Sequence, residues 1–251
     1  MNAATVDELL TRDRRDDRTA LEDATGRPFD YHWVCTTAWQ SGNFLRHAGV
    51  RNGVTVGVVG DGPLALLAFF GTTLLEGATR FEPPADLTDE EDFRALVAPV
   101  DDLESGEYAL PRGAQRVGYG AKPEEPDIHH FDAGVWTENP SFPPLDVDPE
   151  TEILTDGERT VSHGEVLEAA EDVVSASGLE AGERVVVRNP LSDLETVVAG
   201  VVAPLLVGGT VVLTDAEGTE GDSNEARGEY AVSSSPVPES TRIDPAEVRI
   251  S

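Results

Sequence analysis

Lysine is almost absent from this chain. Of its 18 basic residues only Lys122 is a lysine; the rest are arginine, set against 48 acidic residues and a formal net charge of −30. That balance argues against a nucleic-acid partner, because phosphate binding needs clusters of Lys and Arg. Excess carboxylate with almost no lysine is the composition of a haloadapted cytoplasmic protein. High salt screens the self-repulsion, and the carboxylates keep the surface hydrated. The alternative reading is an acidic surface for a basic partner. Cysteine is nearly missing too. Cys35 is the single one, which excludes an intrachain disulfide and the common Cys-based zinc sites. Beside Trp33 and Trp39 it reads as core packing. The N-terminus, MNAATVDELLTRDRRDD, has no apolar signal core, so a cytoplasmic location is expected. The one long run without charge, Thr196 to Leu213, is broken by Gly200, Pro204, Gly208 and Gly209. It reads as a buried helix and strand, not a membrane span.

What the chain does have is a repeat. FLRHAGVRNGVTVGVVGDGPLALLAFFGTTLLEGATRFEPP begins at Phe44, and VVSASGLEAGERVVVRNPLSDLETVVAGVVAPLLVGGTVVLTD begins at Val173. Gly49 and Gly53 align with Gly178 and Gly182, and Gly77 and Thr79 with Gly208 and Thr210. Each copy predicts a helix end, a valine-rich strand, a turn with a proline, an apolar helix and another strand. Strands alternating with helices imply an α/β fold with parallel sheet covered by helices.

The expected organisation is an acidic N-terminal helix or arm (1–20), a first α/β unit (21–117), a connection rich in proline and aromatics (118–151), a second α/β unit (152–233) and a tail (234–251). In the first unit a helix is expected over Thr36–His47, a strand over Val54–Val59, a helix over Pro63–Leu75 and a strand over Thr79–Glu82. A further helix is expected near Asp89, then an αβ step around Leu96–Val100. The connection should drape over the surface, pinned by Tyr119, Phe131, Trp136 and Phe142. The stretch AEGTEGDSNEARGE after Asp215 reads as a polar acidic loop.

In this arrangement the chain resembles the N-terminal region of the adenylate-forming, AMP-dependent acyl-CoA synthetase and ligase family. The residues that carry the resemblance are Tyr31, Leu45, Gly49-Val50, Gly53, Val56 and Gly77-Ala78 in the first unit. In the second they are Ser162-His163, Gly178-Leu179, Gly182, Pro204-Leu205-Leu206 and Gly208 to Val212. The lead-in ENPSFPPLDVDPETEIL is similar to the approach to the family's phosphate loop. The likeness covers about residues 19 to 215. It implies ATP or AMP and CoA as ligands and acyl-CoA ligation as the chemistry.

The departures point the other way. At the phosphate-loop position stand Thr155, Asp156, Gly157, Glu158, Arg159, Thr160 and Val161. The segment is short and lacks lysine, and its two carboxylates repel a triphosphate. Thr155, Gly157, Arg159 and Thr160 are the residues that would mark a degenerate nucleotide site. A second alignment is open: TDGERTVSHGEVLEAA can be a copy of the family's opening, a β-turn before a helix. The family's later motifs have no counterpart in this sequence. The residues therefore support no catalytic group, no metal and no cofactor. The expected function is a truncated, non-catalytic, synthetase-like protein in binding or regulation. The alternatives are a synthetase component active only with a partner chain, and an unrelated small-ligand module. Two apolar helices without their usual cover suggest a homodimer or a synthetase-like partner.

Other constellations read as structural. His129-His130 in an extended segment point to opposite sides. Ser162 and His163 are candidate helix caps, with Glu165 spaced for a capping box. Gly118-Tyr119-Gly120 is a turn with no helix after it. Gly60, Asp61 and Gly62, between a strand and a helix, form the best candidate for a small ligand, although Asp61 there is expected to cap the helix and repel an anion.

Overall fold

The computed structural model describes residues 3–143, 145–214 and 228–250. Two 3-10 turns, Val6–Leu10 and Arg12–Arg14, come first. The first unit then runs β1 (Thr19–Glu22), β2 (Pro28–Asp30), α1 (Tyr31–His47), β3 (Thr55–Val58), α2 (Pro63–Thr73), β4 (Ala78–Phe81), β5 (Phe93–Pro99), α3 (Val100–Ser105) and β6 (Gln115–Tyr119), followed by β7 (Ile128–His130) and α4 (Phe131–Val135). The second runs β8 (Glu152–Thr155), β9 (Thr160–Ser162), α5 (His163–Ser177), β10 (Arg184–Val187), α6 (Leu194–Val197), a π turn (Val198–Val202), α7 (Ala203–Val207), β11 (Thr210–Leu213), β12 (Tyr230–Val232) and β13 (Thr241–Ile243).

Local signals explain the boundaries. Asp30 caps α1 by accepting the Trp33 N–H at 2.6 Å. Ser162 and Glu165 form the expected capping box at α5, and Gly178 ends that helix in the left-handed region. Pro63 fits the first turn of α2, where its missing N–H costs nothing. Pro204 is different, because the helix runs on through it. The turn before it widens to π geometry, closed by the Ala203 N–H on the Val198 carbonyl, which makes room for the proline ring.

The strands form two sheets. Sheet A has the order β13-β12-β10-β11-β1-β2 and sheet B the order β7-β6-β5-β3-β4-β8-β9. Pairing is parallel throughout except within the hairpins β1–β2 and β8–β9. The two sheets match strand for strand, β10 with β3, β11 with β4, β12 with β5 and β13 with β6. The hairpins are exchanged. The first unit's hairpin joins the second unit's sheet through Leu21 opposite Val211. The second unit's hairpin joins the first unit's sheet through Leu154 opposite Thr79. Each unit thus completes the other.

The period-2 alternation of the strands sorts side chains between layers. Val185, Val187, Val211 and Leu213 of sheet A share one core with Val56, Val58, Ala95 and Val97 of sheet B and with the helices between. The intervening Val186 and Val212 face the other side of sheet A, and Leu96 and Ala98 the other side of sheet B. Both apolar helices are covered within this chain: Ala65 to Thr73 and Thr196 to Leu205 are buried.

Several expectations change. No helix starts near Asp89; that acidic run offers no apolar stripe, and Asp86 instead turns the chain by accepting the Thr88 N–H. The step at Leu96 is strand β5. The connection after Gly118 is more than a drape, since Ile128, Phe131 and Val135 are buried and anchor β7 and α4 on sheet B. Phe142 packs on Trp39 at 5.3 Å between rings, whereas Trp136 is 61% exposed. The opening residues are packed, with Val6, Leu9 and Leu10 in the core. The acidic stretch from 216 lies, up to residue 227, outside the described residues. Among the described residues no helix is long and apolar enough to cross a membrane.

Candidate functional site

The segment at the phosphate-loop position is the turn of the β8–β9 hairpin. Each N–H from 156 to 159 has an acceptor within the turn. Asp156 donates to the Arg159 carbonyl at 3.2 Å. Gly157 donates to the Thr155 hydroxyl at 3.0 Å, and Glu158 and Arg159 both donate to Asp156 Oδ1 at 2.8 Å. A concave run of N–H groups is what an anion needs, and here a carboxylate of the chain already fills it. Burial alone would raise the Asp156 pKa, but the N–H groups of Arg159 and Glu158 and the Arg159 guanidinium outweigh it and hold the carboxyl below its usual value.

The side chains of Thr155, Arg159 and Thr160 are also engaged. Thr155 Oγ1 donates to the Arg159 carbonyl at 2.7 Å, and Thr160 Oγ1 to Glu152 at 2.8 Å. Arg159 pairs with Asp156 at 3.2 Å and with Glu195 at 3.0 Å. The Arg80 guanidinium lies over Gly157, whose φ of +94° suits glycine, and Arg80 itself pairs with Glu90 at 2.7 Å. Glu195 and Arg80 were not legible as parts of this turn, because nothing in the sequence signals contacts so far along the chain. Every N–H of the turn from 156 to 159, and the Arg159 guanidinium, is thus already bonded within the chain.

The opening hairpin has the same construction. Asp23 Oδ1 accepts the N–H groups of Thr25 at 2.9 Å and Arg27 at 3.0 Å. Hairpin, cap and helix then follow in both units. The two hairpins are thus built alike, each with an aspartate that accepts two N–H groups of its turn.

Gly60, Asp61 and Gly62 lie between β3 and α2. Gly60 is left-handed at φ +98°, and its N–H donates to Glu82 at 2.6 Å. A side chain at Gly60 would run into the Tyr119 hydroxyl, which donates to the Val59 carbonyl at 2.6 Å. The cap position of α2 is Gly62, one residue after Asp61. Asp61 lines a cavity of about 240 Å³ with Val187, Asn189, Leu213 and Thr214. The cavity sits at the carboxyl ends of β10 and β11, where open parallel sheets take ligands.

The other candidates stay apart. His129 meets Gln115 at 3.1 Å and His130 meets Asp132 at 3.7 Å. Among the described residues no group of three ligating side chains gathers. Cys35 is buried, and burial pushes its thiol up to about 12, which makes it inert as a nucleophile. His163 does not cap α5; its Nδ1 accepts the Val6 N–H at 2.9 Å.

No family model matches this chain, and no curated protein matches it in sequence. Solved structures do. The anthranilate CoA ligase AuaEII, in complex with anthranoyl-AMP, aligns with a TM-score of 0.74 at 18% identity over 91% of this chain and 49% of its own. A benzoate CoA ligase from Burkholderia xenovorans LB400 gives 0.73 at 18% identity over 91% and 50%. A fatty acyl CoA synthetase of Mycobacterium tuberculosis gives 0.68 at 13% over 91% and 54%. The chain spans about half the length of these ligases. At such identities the likeness is one of fold: the structure resembles the N-terminal part of AMP-dependent CoA ligases.

Proposed function

We propose that this chain is a non-catalytic binding or regulatory protein built on the N-terminal scaffold of the adenylate-forming synthetases. The observation that carries the reading is Asp156. Its carboxylate takes two N–H groups of the turn where such a scaffold would meet ATP phosphates, and Arg159, the cation beside it, is paired twice. An incoming phosphate would have to displace a bonded carboxylate and then face its charge and that of Glu158.

The remaining ligand candidate is the cavity beside Asp61, which is lined by carboxylate, guanidinium, amide, hydroxyl and apolar groups and suits a small polar molecule with both hydrogen-bond donors and acceptors. Acid-dependent exchange of pyrophosphate into ATP, measured in multimolar KCl, tests the proposal. No exchange above background is expected with any carboxylic acid. Robust exchange by this chain alone overturns the reading.

A further inference from the structure

Sheet A ends on an edge that the internal symmetry leaves open. β13 matches β6; yet β6 is covered by the parallel strand β7, while among the described residues no strand covers β13. β13 bonds to β12 through Thr241 and Ile243. The Thr241 N–H donates to the Glu229 carbonyl at 3.1 Å, and the Ile243 carbonyl accepts the Ser233 N–H at 3.0 Å. Ladder groups alternate sides along a strand, so the N–H and C=O of Arg242 face outward.

The other three edges are closed locally. β2 carries Pro28, which has no N–H to offer. In β9 the Ser162 N–H is taken by the Glu165 carboxylate at 2.7 Å. At β7 the Ile128 N–H donates to the Glu125 carbonyl at 3.3 Å. Beside β13, by contrast, a cavity of about 320 Å³ opens toward α5, with Val173, Ala176, Ile243 and Val248 among its walls. Arg242 and Asp244 are two positions apart, on one side of the strand, and pair at 2.9 Å.

We propose that β13 pairs antiparallel with β13 of a second copy of this chain, about a twofold axis through Ile243. A twofold axis requires the antiparallel sense. With the two Ile243 residues opposite each other, Arg242 of each copy faces Asp244 of the other. The Arg242 carbonyl then accepts the N–H of Asp244, the residue just after β13, in the other copy; the Arg242 N–H shares the Asp244 carbonyl that already accepts the Glu247 N–H at 3.0 Å; and the two ion pairs within the chains become two between them. The edge is self-complementary in charge although each copy carries −30 overall. Screening is what lets the copies meet, so the pairing belongs to high salt.

Light scattering in multimolar KCl tests this. The wild type is expected at twice its single-chain mass of 26.8 kDa, with the dimer fraction rising with concentration. Arg242→Pro removes an N–H that the ladder with β12 does not use; it should give the single-chain mass with an unchanged circular dichroism spectrum. Arg242→Glu and Asp244→Arg each place like charges opposite one another, so each should be monomeric alone. An equal mixture of the two should dimerise, because the introduced glutamate would face the introduced arginine, and the Asp244 kept by one chain would face the Arg242 kept by the other. This mixing result holds the proposal to account even if the proline variant folds poorly. A wild type of single-chain mass at every concentration, or a dimer untouched by the charge variants, overturns the proposal.

Discussion

His163 and Val6, far apart in the chain, meet through one hydrogen bond: the Val6 N–H donates to His163 Nδ1 at 2.9 Å. The bond fixes the tautomer, so the ring proton sits on Nε2, which is buried and has no partner among the described residues. Burial pushes the His163 pKa from 6.5 down to about 4. The unfolded chain therefore takes up the proton first as pH falls. Stability should be intact above about pH 6.5 and should drop by about 3 kcal/mol by pH 4. Urea unfolding across that window measures it. His163→Gln should be less stable at neutral pH but should lose this part of the acid sensitivity; an unchanged pH slope would refute the assignment.

Asp7 acts with the opposite sign. It is buried, its Oδ1 has no partner among the described residues, and burial raises its pKa above 3.8. The unfolded carboxyl ionises first as pH rises, so the folded state loses stability on passing to neutral pH. Asp7→Asn should raise the melting temperature at neutral pH and change it little in acid. A stabilisation of equal size at both would point to some other cause.

Asp156 holds its turn as a cap holds a helix end. Asp156→Ala should cost about 1–2 kcal/mol, because two N–H groups lose a charged acceptor. The ordinary form has its carboxyl held below 3.8, so its advantage exists at neutral pH and fades as pH falls through that lowered value. Calorimetric melts of both forms at neutral and acid pH decide this; equal melting temperatures at neutral pH would mean the turn is held by pairing alone.

The legible part of the molecule is the part set by local chemistry. Gly49, Gly53, Gly178 and Gly182 marked helix ends and strand starts, and Ser162 with Glu165 marked a cap. The start of α1 was missed, because Trp33, Val34 and Cys35 are indifferent helix formers; its true signal is Asp30 at the cap. The exchange of hairpins was invisible. Leu154 pairs with Thr79 and Leu21 with Val211, and no local pattern says which sheet a hairpin will join. The cavity beside Asp61 was half legible for the same reason. The turn after a strand was a sound candidate, but Asn189 and Thr214 reach it through the packing of the second unit on the first.

Salt should decide whether this chain folds. At −30 the like charges repel over a Debye length that grows from about 3 Å at 1 M to about 30 Å at 0.01 M. Circular dichroism should therefore show loss of helix signal or a lower melting temperature as KCl is withdrawn. The same melting temperature at both salts would remove the case for haloadaptation.

The last expectation concerns how α1 and α2 meet. A Cβ on Gly71 would lie 2.8 Å from the Gly42 backbone nitrogen and 2.9 Å from the Ser41 carbonyl carbon. Those are backbone atoms and cannot rotate aside. The two helices touch main chain to main chain here, and α2 is buried from Ala65 to Thr73, so any separation opens the shared core. Gly71→Ala should cost about 3 kcal/mol despite alanine's better helix propensity. Gly62→Ala, where a Cβ meets nothing within 4 Å, should cost about 1 kcal/mol or less as a change of cap residue. Urea unfolding of the two variants beside the wild type makes the comparison. If Gly71→Ala were as mild as Gly62→Ala, the helices would have room between them and the close crossing would not be what fixes the layer between the sheets.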